Sequence, residues 1–365
     1  MDNPHRMERR RTISLRNMLH NLSSKRRPPR ADLAGKWLAC LLVAITAAAR
    51  GQTCQTGEDL ENQARTSIEA TALKYFALAA QGDVAALRQN SIPSVADSFS
   101  GIATAVQENQ TVFARAHASI RSTFQLVAEG TAPMERAEFL CGVFGKSGQT
   151  ASSAVFVLNN LPSGRYGLVV LDVAPDPDAK AGDPPYAVSL VLQQIGSDWK
   201  LGGFFVKATQ TAGHDAVWFV QQARALATKG QAHNAWFYFL EARNLTTVVP
   251  FMSTRETDRL YDEAQKTLSP DAPAGAPPEL AVAGRNFKIK TLFAYGIAGE
   301  LNLVVKYEYP DVSDTVRTYA DNQAVARALV AKWPELREAF GAIVARATEP
   351  SGKDFGTLVV MKDLK

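Results

Sequence analysis

The chain has 365 residues, 46% of them hydrophobic, and carries 40 Lys+Arg against 36 Asp+Glu for a formal charge of +4. That sign misleads, because residues 1–51 hold 11 of the basic and 3 of the acidic side chains, leaving 29 against 33, a net −4, for the remainder. A mildly acidic body lacks the cationic footprint that phosphate-backbone binding or an anionic lipid surface requires, so neither nucleic acid nor a charged membrane is an expected partner.

The first segment reads as an export signal. A basic arm (Arg6, Arg9, Arg10, Arg11, Arg16, Lys25, Arg26, Arg27, Arg30) precedes an apolar run of 13 residues, Trp37–Ala49, held between Lys36 and Arg50. A bilayer span needs about 20 apolar residues. Ala49-Arg50-Gly51 puts small residues at the two positions a signal peptidase reads. Residues 1–51 are therefore expected to be a cleaved secretory signal peptide, with the exported protein beginning near Gln52, periplasmic or extracellular and without a stable membrane span. Arg10-Arg11 stands too far ahead of the apolar run for a twin-arginine signal. No cysteine has the context for acylation, since Cys40 lies inside the run and Cys54 follows Gly-Gln-Thr. Removal of Cys40 leaves Cys54 and Cys141 in an oxidising compartment. One disulfide, or two buried unpaired thiols, are the two alternatives. Neither count nor spacing suggests zinc.

Between 57 and 210, helices come first. Leu60, Ala64, Ile68, Ala72, Tyr75, Phe76 and Ala79 recur at three- and four-residue steps and predict a helix that Gly82-Asp83 ends; Val95, Phe99, Ile102 and Val106 repeat the pattern. Strand-like runs follow at 123–127, 139–144, 153–158, 166–173, 186–194 and 199–207, with Ile195-Gly196-Ser197-Asp198 as a hairpin turn. Helices followed by consecutive antiparallel strands predict an α+β layer. The helix end Lys74–Asp83 and the closing hairpin Gly196–Phe204 resemble the nuclear-transport-factor-two-like superfamily, also called cystatin-like or ketosteroid-isomerase-like. The resemblance covers about residues 57–210 and implies a cone-like curved antiparallel sheet with packed helices around an apolar pocket, which some members use for catalysis and many only for binding. No catalytic residue carries over by motif. Trp199, beside the turn, is expected in the core.

Residues 214–268 are predicted helical. Gly230–Leu245, with Gly230 at the turn and Ala235, Phe239 and Ala242 at packing positions, resembles the second half of a tetratricopeptide repeat. One copy cannot make the groove such repeats use, so a single helical hairpin docked on a neighbouring sheet is expected. Residues 269–279, rich in Pro and Ala, read as a linker. In 280–365, strands at 287–293 and 301–309, a helix over 322–348 interrupted at Pro334, and a strand at 356–361 predict a small C-terminal ββαβ module.

Chemistry-bearing motifs are thin. Gly145-Lys146-Ser147 lacks the glycine a phosphate loop needs five positions earlier, where Leu140 stands, and Gln149 removes the nucleophile-elbow reading of Ser147. His117, His214 and His233 show no metal-ligand spacing; Asp215 beside His214 belongs to a helix N-terminus. Asp172, Asp176, Asp178 and Asp183 lack the glycine and distal glutamate of a calcium loop. Trp218, Phe219 and Trp236–Phe239 are too many aromatics for one hairpin interior, so Trp218, Trp236, Phe237 and Tyr238 are candidates for an interaction surface, either within the chain or toward a partner.

The sequence thus points to an exported, non-catalytic binding or protein-interaction protein of the bacterial envelope, its partner an envelope protein or a small apolar ligand, with no cofactor or metal. A pocket enzyme using a carboxylate or Tyr, and a carrier of an apolar small molecule, are the alternatives. N-terminal sequencing of material exported by its native host is expected to begin near Gln52; a cytosolic chain that retains the basic arm would overturn the export reading.

Overall fold

Runs rich in Val, Leu, Phe and Tyr between 117 and 208 are broken by turn residues, and each run forms a strand. The computed structural model describes residues 52–143, 153–176, 184–269, 271, 279–282 and 284–364, which fall within one unit, Gln52–Lys365. The export signal expected over 1–51 lies outside the described residues, as does most of the linker. The fold is α+β, with several open, largely antiparallel sheets.

Strand β1 (Gln52–Thr56) is followed by helices α1 (Asn62–Gln81), α2 (Val84–Gln89), α3 (Pro93–Asp97) and α4 (Ser100–Phe113), then by β2 (His117–Ala128), β3 (Met134–Cys141), β4 (Ala154–Leu161), β5 (Gly164–Ala174), β6 (Tyr186–Ile195) and β7 (Asp198–Ala208). The main sheet runs β1-β2-β5-β6-β7, antiparallel throughout. Helix α1 ends at Gly82, whose φ of 72° is costly for a residue with a β-carbon. Its buried stripe, Ile68, Ala72, Tyr75, Phe76 and Ala79, packs with Val169, Leu171, Val188 and Leu190 of the sheet. The approach is close: a β-carbon on Gly167 would lie 2.9 Å from Ile68 Cγ2. Tyr75 donates its hydroxyl proton to the Trp199 carbonyl at 2.7 Å, and the Trp199 side chain is buried in the same core.

After the short β8 (Gln210–Thr211) and β9 (His214–Asp215) come α5 (Ala216–Thr228), α6 (Ala232–Thr246), β10 (Met252–Thr254) and α7 (Arg255–Lys266). The six predicted strand runs do not form one sheet. Hairpin β3–β4 leaves the main sheet, pairs with β10 in the order β10-β4-β3, and buries Phe139 and Phe156 against Phe124, Leu126 and Leu168 on the face away from the helices. Cys54 on β1 and Cys141 on β3 form a disulfide that ties the two sheets together across 87 residues.

The C-terminal sheet runs β11 (Glu279–Val282), β12 (Arg285–Ile297), β13 (Glu300–Glu308), β14 (Ala342–Thr348), β15 (Asp354–Val360); β13 and β14 are parallel and the other pairs antiparallel. Helices α8 (Thr315–Lys332) and α9 (Leu336–Ala339) fill the crossover. The helix expected over 322–348 stops well short, and 342–348 is strand β14. Pro334 has no amide proton to continue the ladder, and β-branched Ile343 and Val344 gain more from pairing with Leu303 and Val304. Phe219, Trp236, Tyr238, Tyr307, Leu329 and Trp333 share one core, so the helical segment and the C-terminal sheet pack as a single body.

On the chain-entropy model an 87-residue loop stabilises by about 4–5 kcal/mol. Cys141→Ser is expected to lower the urea-unfolding free energy by that order, and reduction of the wild type to have the same effect; equal midpoints for oxidised and reduced protein would show that the bond adds nothing.

Candidate functional site

Helix α6 reads Ala-His-Asn-Ala-Trp-Phe-Tyr-Phe-Leu-Glu-Ala-Arg-Asn-Leu-Thr, with apolar residues on every side and hence a demand for neighbours all round. Trp236, Phe237 and Tyr238 are 6%, 1% and 7% exposed. The rings of Phe237 and Tyr238 stand 5.9 and 6.1 Å from that of Phe340. Tyr238 donates to the Ala339 carbonyl at 2.9 Å, and burial pushes its pKa up to about 12. Trp218 alone of the four candidates is only half-buried, stacked on His214 at 3.7 Å. Of the two alternatives for Trp218, Trp236, Phe237 and Tyr238, a surface within the chain or one toward a partner, the burial of Trp236, Phe237 and Tyr238 fits the first: they seat the helical pair against the C-terminal sheet.

Each end of α6 carries a polar cluster. At the start, His233 lies between two acids, Nδ1 at 2.6 Å from Glu335 Oε1 and Nε2 at 2.8 Å from Asp271 Oδ1, with its ring stacked on Trp333 at 4.4 Å. An imidazolium donates to both; a neutral ring donates to one. Hydrogen bonds from Ser269 and Trp333, and then from His233, hold the Asp271 carboxyl well below the ordinary aspartate range. Both ring nitrogens and one ring face are engaged, which makes His233 a clamp on the chain after α7, not a base with a free lone pair. The sequence separations of 102 and 38 residues explain why spacing did not reveal it.

At the other end, buried Glu241 accepts from Thr211 Oγ1 at 2.6 Å and Asn244 Nδ2 at 3.3 Å, while Lys207 donates to Asn244 Oδ1 at 2.8 Å. Desolvation raises the Glu241 pKa and lowers that of Lys207. Opposite shifts of this kind also occur in acid–base pairs, yet here both carboxyl oxygens and the ammonium are committed to partners that tie β7 and β8 to α6.

Of the other sequence candidates, Asp215 and Asp172 hold structural positions. Asp215 accepts from the Trp218 amide at 2.9 Å and caps α5. Asp172 pairs with Arg121 across the β2–β5 ladder. Gly145-Lys146-Ser147, Gln149, Asp178 and Asp183 lie outside the described residues. Among the described residues, no group of three or more His, Cys, Asp or Glu could hold a metal ion, and no helix is long and apolar enough to cross a membrane.

A different surface stands out on the C-terminal sheet. Leu303, Val305 and Tyr307 of β13 point into the core shared with α6 and α8, so the even-numbered residues lie on the opposite face. Register aligns Phe293, Val304, Val344 and Leu358 in one row across four strands, with Tyr295, Asn302, Ala342 and Val360 in the next. None of these eight belongs to any of the three cores; Asn302, Val304, Ala342 and Val344 are nevertheless buried, and only Tyr295 and Leu358, 56% and 47% exposed, stand well out in water. Arg346 pairs with Asp354 at 2.6 Å and Lys288 with Glu308 at 3.2 Å at one end of the face. Sequence reasoning missed this face, because the alternation of β13 was legible but the burial of Asn302 and Val304 on its even side was not.

Compared with known proteins, the chain matches no family model, no curated protein and no solved structure.

The Glu241 carboxyl carries a sign that can be measured. With its folded pKa above the unfolded value, the native state holds a proton that the unfolded state has released, so stability falls as pH rises from the ordinary glutamate range through the raised value. Glu241→Gln is expected to flatten that decline in urea midpoints taken between about pH 4 and pH 8; a slope unchanged from wild type would place the proton elsewhere.

Proposed function

We propose that the protein is an exported, non-catalytic interaction protein of the bacterial envelope, which meets a protein partner through apolar side chains that its C-terminal sheet exposes. The observation that carries this reading is the exposure of Tyr295 and Leu358, at 56% and 47%, on the sheet face that does not join the shared core. Large apolar side chains held in water are costly unless something binds them. The disulfide between Cys54 and Cys141 is consistent with an oxidising compartment.

The first half is read as nuclear-transport-factor-two-like, on its order of helices followed by antiparallel strands, and the α5–α6 pair as a lone tetratricopeptide-like hairpin. Tyr75, Phe76, Phe113 and Leu87 fill the space between the helices and the main sheet, which favours a binding protein over a pocket enzyme or a carrier of an apolar small molecule. The ionisable groups with shifted pKa values on α6 are hydrogen-bonded into seams and offer no reacting pair to a substrate.

A photo-crosslinking residue at Leu358 is expected to capture one discrete protein product in the native envelope, and the same residue at Val316, 81% exposed on α8, to capture none. Equal labelling at both positions, or none at Leu358, would remove the docking surface.

A further inference from the structure

We infer that β15 is a pairing edge, and that two copies of this chain join there as antiparallel neighbours in one continuous sheet. The inference rests on the reading that the protein meets its partner through the C-terminal sheet, and it names that partner.

The register of β14 with β15 fixes where the main-chain groups of β15 point. The Glu349 amide donates to the Lys353 carbonyl at 2.9 Å and the Met361 amide to the Gly341 carbonyl at 2.8 Å. Both contacts continue the pairing of Ala342 with Val360, so the odd-numbered residues of β15 exchange hydrogen bonds with β14. The amides and carbonyls of Gly356, Leu358 and Val360 therefore face away from β14, and among the described residues no strand takes them up. Gly356 is exposed, and Leu358 is 47% exposed.

The other edges are short or closed. β7 is capped at Leu201, whose amide donates to the Asn90 carbonyl and whose carbonyl accepts from the Ile92 amide. β3 is tied to β1 by the disulfide and by the Glu138 amide, which donates to Gln52 Oε1. The outer strands β1, β10 and β11 have 5, 3 and 4 residues. β15 has 7, with no proline, no bulge and no inward charge, the devices that ordinarily keep an edge single.

A two-fold axis normal to the sheet at Leu358 pairs this edge with itself. Leu358 then lies opposite Leu358 of the other copy and Val360 opposite Gly356, which carries no side chain, and about six main-chain hydrogen bonds form. Lys353, Lys362 and Asp363 are exposed and form no ion pair among the described residues. The axis sets Lys353 of each copy level with Asp363 of the other, and Asp354 level with Lys362. The 3-10 turn at Met361–Asp363 shortens that side by about 3 Å, within the reach of a lysine. Moving the axis to Thr357 sets Asp354 against Val360 and Lys362 against Gly352, and leaves those charges unmatched. One self-complementary edge is what a closed two-fold dimer requires.

Sedimentation equilibrium and cysteine crosslinking on the full exported chain test this. Wild type is expected to dimerise with rising concentration. Leu358→Cys is expected to oxidise to a disulfide-linked dimer, because opposed residues of a hydrogen-bonded pair stand about 5.5 Å apart, inside the range a disulfide spans. Ile195→Cys, 50% exposed at the end of β6, is expected to stay monomeric. Leu358→Pro removes an outward amide and leaves the β14 ladder its bonds, so it should fold in a thermal melt and lose the dimer. Lys353→Asp should weaken association about fivefold, and Lys353→Asp combined with Asp363→Lys should restore it. A wild type that is monomeric at high micromolar concentration, a Leu358→Cys chain that crosslinks no faster than Ile195→Cys, or a double exchange that recovers nothing would overturn the pairing. If the copies stay apart and a photo-crosslinking residue at Leu358 captures a different protein, the second copy is wrong and the partner reading stands; if it captures nothing, both fall.

Discussion

Helix α6 leaves only Asn244 exposed to water, and most of the arrangement follows from housing it. Ten of its fifteen residues are buried, among them two charge-bearing groups, His233 and Glu241. Each large apolar side chain taken fully out of water is worth about 1.5–3 kcal/mol, but the same burial makes an unpartnered polar group costly, and His233, Glu241 and Asn244 are all hydrogen-bonded. The partners come from three directions. Glu335 and Asp271 reach His233 from the C-terminal segment and from the chain after α7; Thr211 and Lys207 reach Glu241 and Asn244 from the first half. One helix thereby locks segments that are far apart in sequence, and the polar contacts specify which surfaces meet.

A comparable economy governs the first half. The main sheet has apolar residues on both faces. One face takes the α1 stripe, while the other would be left wet if β3 and β4 stayed in the sheet as the sequence order suggests. Folding the β3–β4 hairpin over that face, with β10 added from the helical segment, covers it. The Cys54–Cys141 bond joins the two sheets at the edge where β1 meets β3. Phe205 against Phe251 at 5.6 Å continues the same layer toward the helices.

The C-terminal sheet is arranged differently. Its inner face receives α6 and α8. On the other face Asn302, Val304, Ala342 and Val344 are buried although they join none of the three cores, while Tyr295 and Leu358 are exposed. Arg346 pairs with Asp354 and Lys288 with Glu308 at one end of that face. Which of its side chains meet water is a property of register and tertiary setting, not of any single residue.

Local conformation was largely legible in the chain. The three- and four-residue steps of Ile68, Ala72, Tyr75, Phe76 and Ala79 describe α1, and each of the six strand-like runs overlaps one of β2–β7, because side-chain period and backbone geometry are coupled residue by residue. The even cysteine count and the Asp215 cap were readable for the same local reason. What tertiary structure decided is who meets whom: that β3 and β4 leave the main sheet, that Ala342–Thr348 is a strand beside β13, that His233 finds Glu335, and that Asn302 and Val304 on the even face of β13 are buried outside the shared core. Period along a chain encodes which side of an element is apolar. The surface that finally covers it is set by the global burial of distant segments, a sum that no local window contains.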